Sequence, residues 1–166
     1  MNNHVETKAI KAVIQNYIVG TSNADIEKLK GVFHEKAVMN GYLGPDCLLA
    51  DPSGFIADIS GAPSMASAND PYQAEIESIH VEGGVASVIV SETGFRGAAT
   101  LVDFFHLIKQ DGKWTIISKL FTTLYAIYYK NWACAAAHAQ FSDFVHFIQL
   151  LPSCSLIYNH FPQSRC

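Results

Sequence analysis

ATLVDFFHLIKQDGKWTIISKLFTT, residues 99–123, carries the strongest strand and turn signals in the chain. It is rich in β-branched and aromatic residues on both sides of Gln110-Asp111-Gly112-Lys113. An Asp-Gly pair between two such runs marks a tight hairpin, because both central positions need positive φ. Side chains alternate along a strand, so Leu101, Asp103, Phe105 and Leu107 share one face, and Val102, Phe104, His106 and Ile108 the other. One face therefore carries a carboxylate among large apolar groups.

Upstream, AEIESIHVEGG and VASVIVSETGF read as two more strands, with Gly83-Gly84 as a hairpin turn rather than a phosphate cradle, since no helix follows. Parallel neighbours need long crossovers, and no helical pattern separates these strands, so a doubly wound sheet is excluded. DPSGFIADISGAPSMASANDP, residues 51–71, is loop-like, with room for one short helix at about Ser53 to Ile59. Its length makes it a wall or lid. AVMNGYLGPD, residues 37–46, reads as a short strand ended by Gly and Pro. Before it come two helices. Ile10, Val13, Ile14, Tyr17 and Ile18 recur at helical spacing with Gly20 at a capping position, and TSNAD caps a second helix bearing Ile26, Leu29, Val32 and Phe33. Helices followed by a meander of strands predict an α+β fold, the helices packed in a curved antiparallel sheet.

The 166 residues suit one main domain. Charged side chains are 16% of the chain and the net charge is −4, without the clustered Lys and Arg that a nucleic-acid surface needs. The start, MNNHVETKAIKAVIQ, lacks a basic segment leading into an apolar one, so the expectation is a cytoplasmic protein without a signal peptide. Cys47, Cys134, Cys154 and Cys166 show no metal-type spacing, and His80, His106, His138 and His146 form no zinc pattern. Neither metal nor cofactor is expected. Charges thin out after residue 123: only Lys130, Asp143 and Arg165 follow. We place a domain at 1–123 and an apolar extension at 124–166, readable as one helix from about Leu124 to Leu150. Lys130, Asn131, His138, Gln140 and Asp143 interrupt it too often for a membrane span. It is either an extension packing on the outer sheet face or poorly selected sequence that folds weakly.

AVIQNYIVGTSNADIEKLKGVFHEKAVMNGY (12–42) and VDFFHLIKQDGKWTIISKLF (102–121) resemble the nuclear transport factor 2-like, or SnoaL-like, superfamily, whose fold is the cystatin-like α+β cone. Within it the chain looks most like the group labelled putative lumazine-binding, over residues 7–122. The resemblance implies an internal cavity and a homodimer through the sheet face. It places Asp103 where ketosteroid isomerase, of the same superfamily, keeps a neutral aspartic acid as hydrogen-bond donor. It places Tyr17 at the oxyanion-binding tyrosine. That enzyme's general base would fall at Asn40-Gly41, and neither residue can take a proton from carbon.

His34 is the next candidate base, since an unperturbed imidazole titrates at about 6.5. The expected catalytic set is thus Asp103 as donor, His34 as base and Tyr17 as polariser. Each has a structural alternative: Asp103 bonding a loop backbone or Tyr17, Tyr17 as core, and His34 capping a helix. Tyr42, Phe55, Phe95, Phe105, Trp114 and Phe121 are expected to line a pocket for a flat apolar ligand. The function expected is binding of a small apolar or aromatic molecule. The alternative is a cofactor-independent acid–base enzyme, a dehydratase, isomerase or polyketide-cyclase-like protein.

Overall fold

A computed structural model describes residues 3–124. Helix α1, Asn3–Asn23, buries Ile10, Ile14, Tyr17 and Thr21 along one side, at the 3.6-residue period. It runs straight through Gly20. That glycine is a close-approach site rather than a cap: a Cβ there would lie 2.9 Å from the Leu29 side chain of the next helix. The turn instead falls at Ala24, with φ 55°. Helix α2, Ile26–Val32, starts at Asp25, whose side chain accepts from the Lys28 N–H at 3.0 Å.

Strand β1, Phe33–Leu43, turns at Gly44-Pro45 into β2, Asp46–Ala50. Gly44 has φ 62°, so Gly-Pro here reverses the chain in a hairpin instead of ending the strand. Helices α3, Ser53–Ser60, and α4, Met65–Ala68, occupy the Gly- and Pro-rich stretch. Arg96 straps it down, donating to Pro63 O and Asp58 O at 3.1 Å each. Strands β3, Gln73–Glu82, β4, Val85–Phe95, β5, Ala99–Gln110, and β6, Lys113–Thr123, follow as a meander. Asp111 and Gly112 have φ 51° and 80°, the tight turn their sequence demands.

The sheet order is β2-β1-β6-β5-β4-β3. All neighbours are antiparallel except β1 and β6, which run parallel, so the sheet is mixed and not purely antiparallel as expected. These two strands meet across nearly the whole domain, and no turn sets their direction. The core lies between α1 and the inner face, with Ile10, Ile14, Leu29, Val88, Val90, Phe105, Leu107 and Ile116 buried together. The described residues fall within one compact unit, Met1–Tyr125. Apart from Leu124, the expected helix from Leu124 to Leu150 and the rest of the extension lie outside the described residues. No helix among the described residues is long and apolar enough to cross a membrane.

Candidate functional site

The strand alternation of β5 is as the sequence implies: Leu101, Asp103, Phe105 and Leu107 are buried, while Phe104, His106 and Ile108 face out. Asp103 is fully buried. Its Oδ2 lies 2.7 Å from Lys119 Nζ and accepts from the Tyr17 hydroxyl at 3.3 Å. Lys119 also donates to the Tyr17 oxygen at 2.6 Å, which closes a triangle. Two donors thus converge on Oδ2, which accepts from Tyr17 as the structural alternative for Asp103 has it, and Oδ1 has no partner among the described residues.

Lys119 was not foreseen. Trp114 and Ile116 point inward, and strict alternation would send Lys119 outward. The pairing, however, steps from Leu107 opposite Ile116 to His106 opposite Ser118. The extra residue, Ile117, is a bulge that shifts the phase and brings Lys119 and Phe121 inside. The ammonium is nearly wholly buried and ringed by aromatic faces, with centroids at 5.0 Å for Tyr17, 5.2 Å for Phe55 and Phe121, and 5.7 Å for Phe105. Such contacts offset part of its lost hydration.

On the other side of Asp103 stands Glu92, also unforeseen, 1% exposed. It sits opposite Leu101 on β4, diagonal to Asp103 just as Lys119 is on β6. Burial, reinforced by the Asp103 carboxylate and opposed by Lys119, pushes the Glu92 carboxyl up to about 8. Tyr17 and Tyr72 are raised by burial first and by Glu92 second, so both hydroxyls stay protonated. Glu92 Oε1, Asp103 Oδ1 and the Tyr72 hydroxyl are buried without a partner inside hydrogen-bonding distance, though Glu92 is near enough to Asp103 and Tyr72 to interact with both.

Lys119 and Glu92 open onto a chamber of about 580 Å³. Its walls are chiefly apolar: Met39, Leu48, Phe55, Phe95, Leu101 and Phe121, with Asp51 and Asp58 also among the lining residues. Three of the six expected ligand-lining aromatics, Phe55, Phe95 and Phe121, are thus in the wall. Phe105 lies in the core, its ring 4.9 Å from that of Tyr17. Trp114 is not among the lining residues; it donates from Nε1 to Glu6 at 2.8 Å. Tyr42 is on the outer face of β1, 53% exposed, because Met39 and Gly41 take the inner phase.

His34 is not brought to Asp103. It stands in β1 rather than at a helix end, lining a separate surface groove, with Nε2 3.3 Å from Gln110 Oε1 and Nδ1 accepting from the Lys36 N–H. The expected base, His34, is therefore not among the residues lining the chamber that Lys119 and Glu92 line. Among the described residues no group of three or more His, Cys, Asp or Glu side chains is placed to hold a metal ion.

The family model described as putative lumazine-binding matches residues 5–122. The chain belongs to that family. The putative lumazine-binding match spans the helices and the whole sheet, including Tyr17, Glu92, Asp103 and Lys119. No curated protein matches the sequence. Among solved structures, a nuclear transport factor 2-like protein of unknown function from Shewanella baltica is 25% identical, with TM-score 0.67, covering 76% of this chain and 99% of that one. Another, from Methylobacillus flagellatus, is 27% identical with TM-score 0.62, covering 72% and 93%. A domain of unknown function with a cystatin-like fold from Nostoc punctiforme, 16% identical at TM-score 0.60, covers 88% and 94% and speaks to the fold alone. The family member described here is thus nuclear transport factor 2-like, with the cystatin-like fold.

Proposed function

We propose that this protein binds a small, largely apolar or aromatic molecule in the chamber, its polar end against Lys119 and Glu92. The observation that carries this reading is a chiefly apolar chamber of about 580 Å³ whose lining includes Lys119 and Glu92, with Asp51 and Asp58. That is the usual composition of a small-molecule site, apolar walls with a few convergent polar groups. The test uses Gly54, which lines the chamber and where an added Cβ would meet no atom within 4 Å. Gly54→Phe adds a ring at a lining position whose Cβ itself displaces no atom. Binding of 2-naphthoate, followed by fluorescence, is expected to weaken at least tenfold in the variant while its melting temperature holds. Equal binding by both proteins would reject the chamber as the site.

A second reading, a cofactor-independent acid–base enzyme, is favoured by one feature: a chamber-lining carboxyl that burial pushes up to about 8. Here the proton-carrying group is Glu92, with Asp103, Lys119 and Tyr17 positioning it. Exchange of the acidic C–H protons of 2-tetralone into D2O, read by NMR, should then exceed the buffer rate and disappear in Glu92→Gln. Exchange at the buffer rate leaves binding alone.

A further inference from the structure

The polar side chains that line the chamber, Lys119 and Glu92, have hydrogen-bonding capacity left unused. An ammonium has three N–H donors. Lys119 uses one on Asp103 and one on Tyr17, and the third has no partner among the described residues. Beside it Glu92 is almost completely buried, lines the same chamber and has an unpartnered Oε1. The Lys119 and Asp103 charges cancel within the triangle. A second cation entering this apolar space would stand against Lys119, whereas an anion would find a free N–H and a carboxyl able to donate.

We propose that this end of the chamber is an oxyanion seat, in which Lys119 and the Glu92 carboxyl both donate to a ligand oxygen that carries negative charge, and that the ligand binds only with Glu92 protonated. The inference rests on the chamber reading and adds the ligand class: a flat apolar body with a carboxylate, enolate or phenolate head. The groups facing Glu92 are Asp103 on β5, Lys119 on β6, Tyr72 ahead of β3 and Tyr17 on α1, and Asp51 and Asp58 also line the chamber. Ionised Glu92 would set a second carboxylate beside Asp103 and against the ligand's own charge, so deprotonation expels the ligand.

Three probes share one body and differ in the head: 2-naphthoate, 2-naphthylmethanol and 2-naphthylmethylammonium. With the full chain, 2-naphthoate should bind tightest at pH 7. Its Kd should rise about tenfold between pH 7 and pH 9, because the protonated fraction of a group titrating at about 8 falls by that factor. In Glu92→Gln, whose amide still donates, 2-naphthoate binding should persist and lose its pH dependence. Should that variant not fold, calorimetry of the unaltered chain at pH 8.5 in phosphate and in Tris gives the same answer through proton uptake on binding. Preference for the ammonium probe, a flat pH profile in the unaltered chain, or binding without proton uptake overturns the proposal. Equal binding of all three probes removes this inference and leaves the chamber reading standing; binding of none removes both.

Discussion

Two ion pairs tie the inner side of this protein together, and they are built differently. At one end Lys109 Nζ meets both oxygens of Glu6, at 2.7 and 2.9 Å, and the Trp114 indole N–H meets Oε2 at 2.8 Å. The carboxylate is surrounded by donors, and the Lys109 and Trp114 bonds hold its pKa below the usual carboxylate range. At the other end the Lys119–Asp103 pair leaves a spare N–H, three unpartnered buried oxygens and a raised carboxyl. The first arrangement is complete within the protein. The second has polar capacity left over at Lys119 and Glu92, both of which line the chamber.

The sharpest way to break this contrast is Lys119→Met. It leaves Asp103 buried with no counter-charge and Glu92 beside it, a loss of about 3–5 kcal/mol expected in urea unfolding at pH 7. Adding Asp103→Asn should restore most of the loss, since two neutral groups then replace the pair. A Lys119→Met protein as stable as the parent would mean the triangle contributes nothing.

Next in size is Glu92→Gln. Because Glu92 titrates at about 8 when folded and near the ordinary carboxylate value when unfolded, the folded state holds the extra proton between those values. Stability is therefore fullest in mild acid and falls as pH rises toward 8, by on the order of 3 kcal/mol from this group. The glutamine variant should gain on the parent at pH 8 and match it more closely at pH 5. Parallel pH profiles for the two proteins would remove Glu92 from the account.

Glu6→Gln should give the smallest change and the opposite sign. A depressed carboxylate stabilises above its ordinary pKa and loses that contribution as pH falls through its folded value. The variant should therefore resist acid about as poorly as the acidified parent, with a slightly lower unfolding midpoint at pH 7 and unchanged 2-naphthoate affinity. A change in that affinity would show that the two ends are not independent.

What could be read from the residues follows how local the determinants are. The Asp-Gly hairpin depends on adjacent residues, the inward phase of Asp103 on neighbours two positions apart, and the placing of Tyr17 on the buried side of α1 on neighbours three and four apart. Glu92 obeys the same rule, since Val88, Val90 and Glu92 alternate inward, and was passed over in a run that reads simply as β-branched. Lys119 could not be found by alternation, because the bulge at Ile117 inverts the phase only where β5 and β6 pair. The parallel β1–β6 contact and the strand after Gly44-Pro45 were likewise hidden, the first for want of any turn, the second because a reversal and a stop share residues. His34 shows the converse: suitable chemistry in the sequence, but on a strand edge bonded to Gln110 and away from Asp103.

The most direct test of the central claim is a crystal structure of the full chain with 2-naphthoate at pH 7. The naphthalene is expected among Phe55, Phe95 and Phe121, with one carboxylate oxygen about 2.7–3.2 Å from both Lys119 Nζ and a Glu92 oxygen. A probe seated in the groove beside His34, or on the outer sheet face with the chamber unchanged, would contradict it.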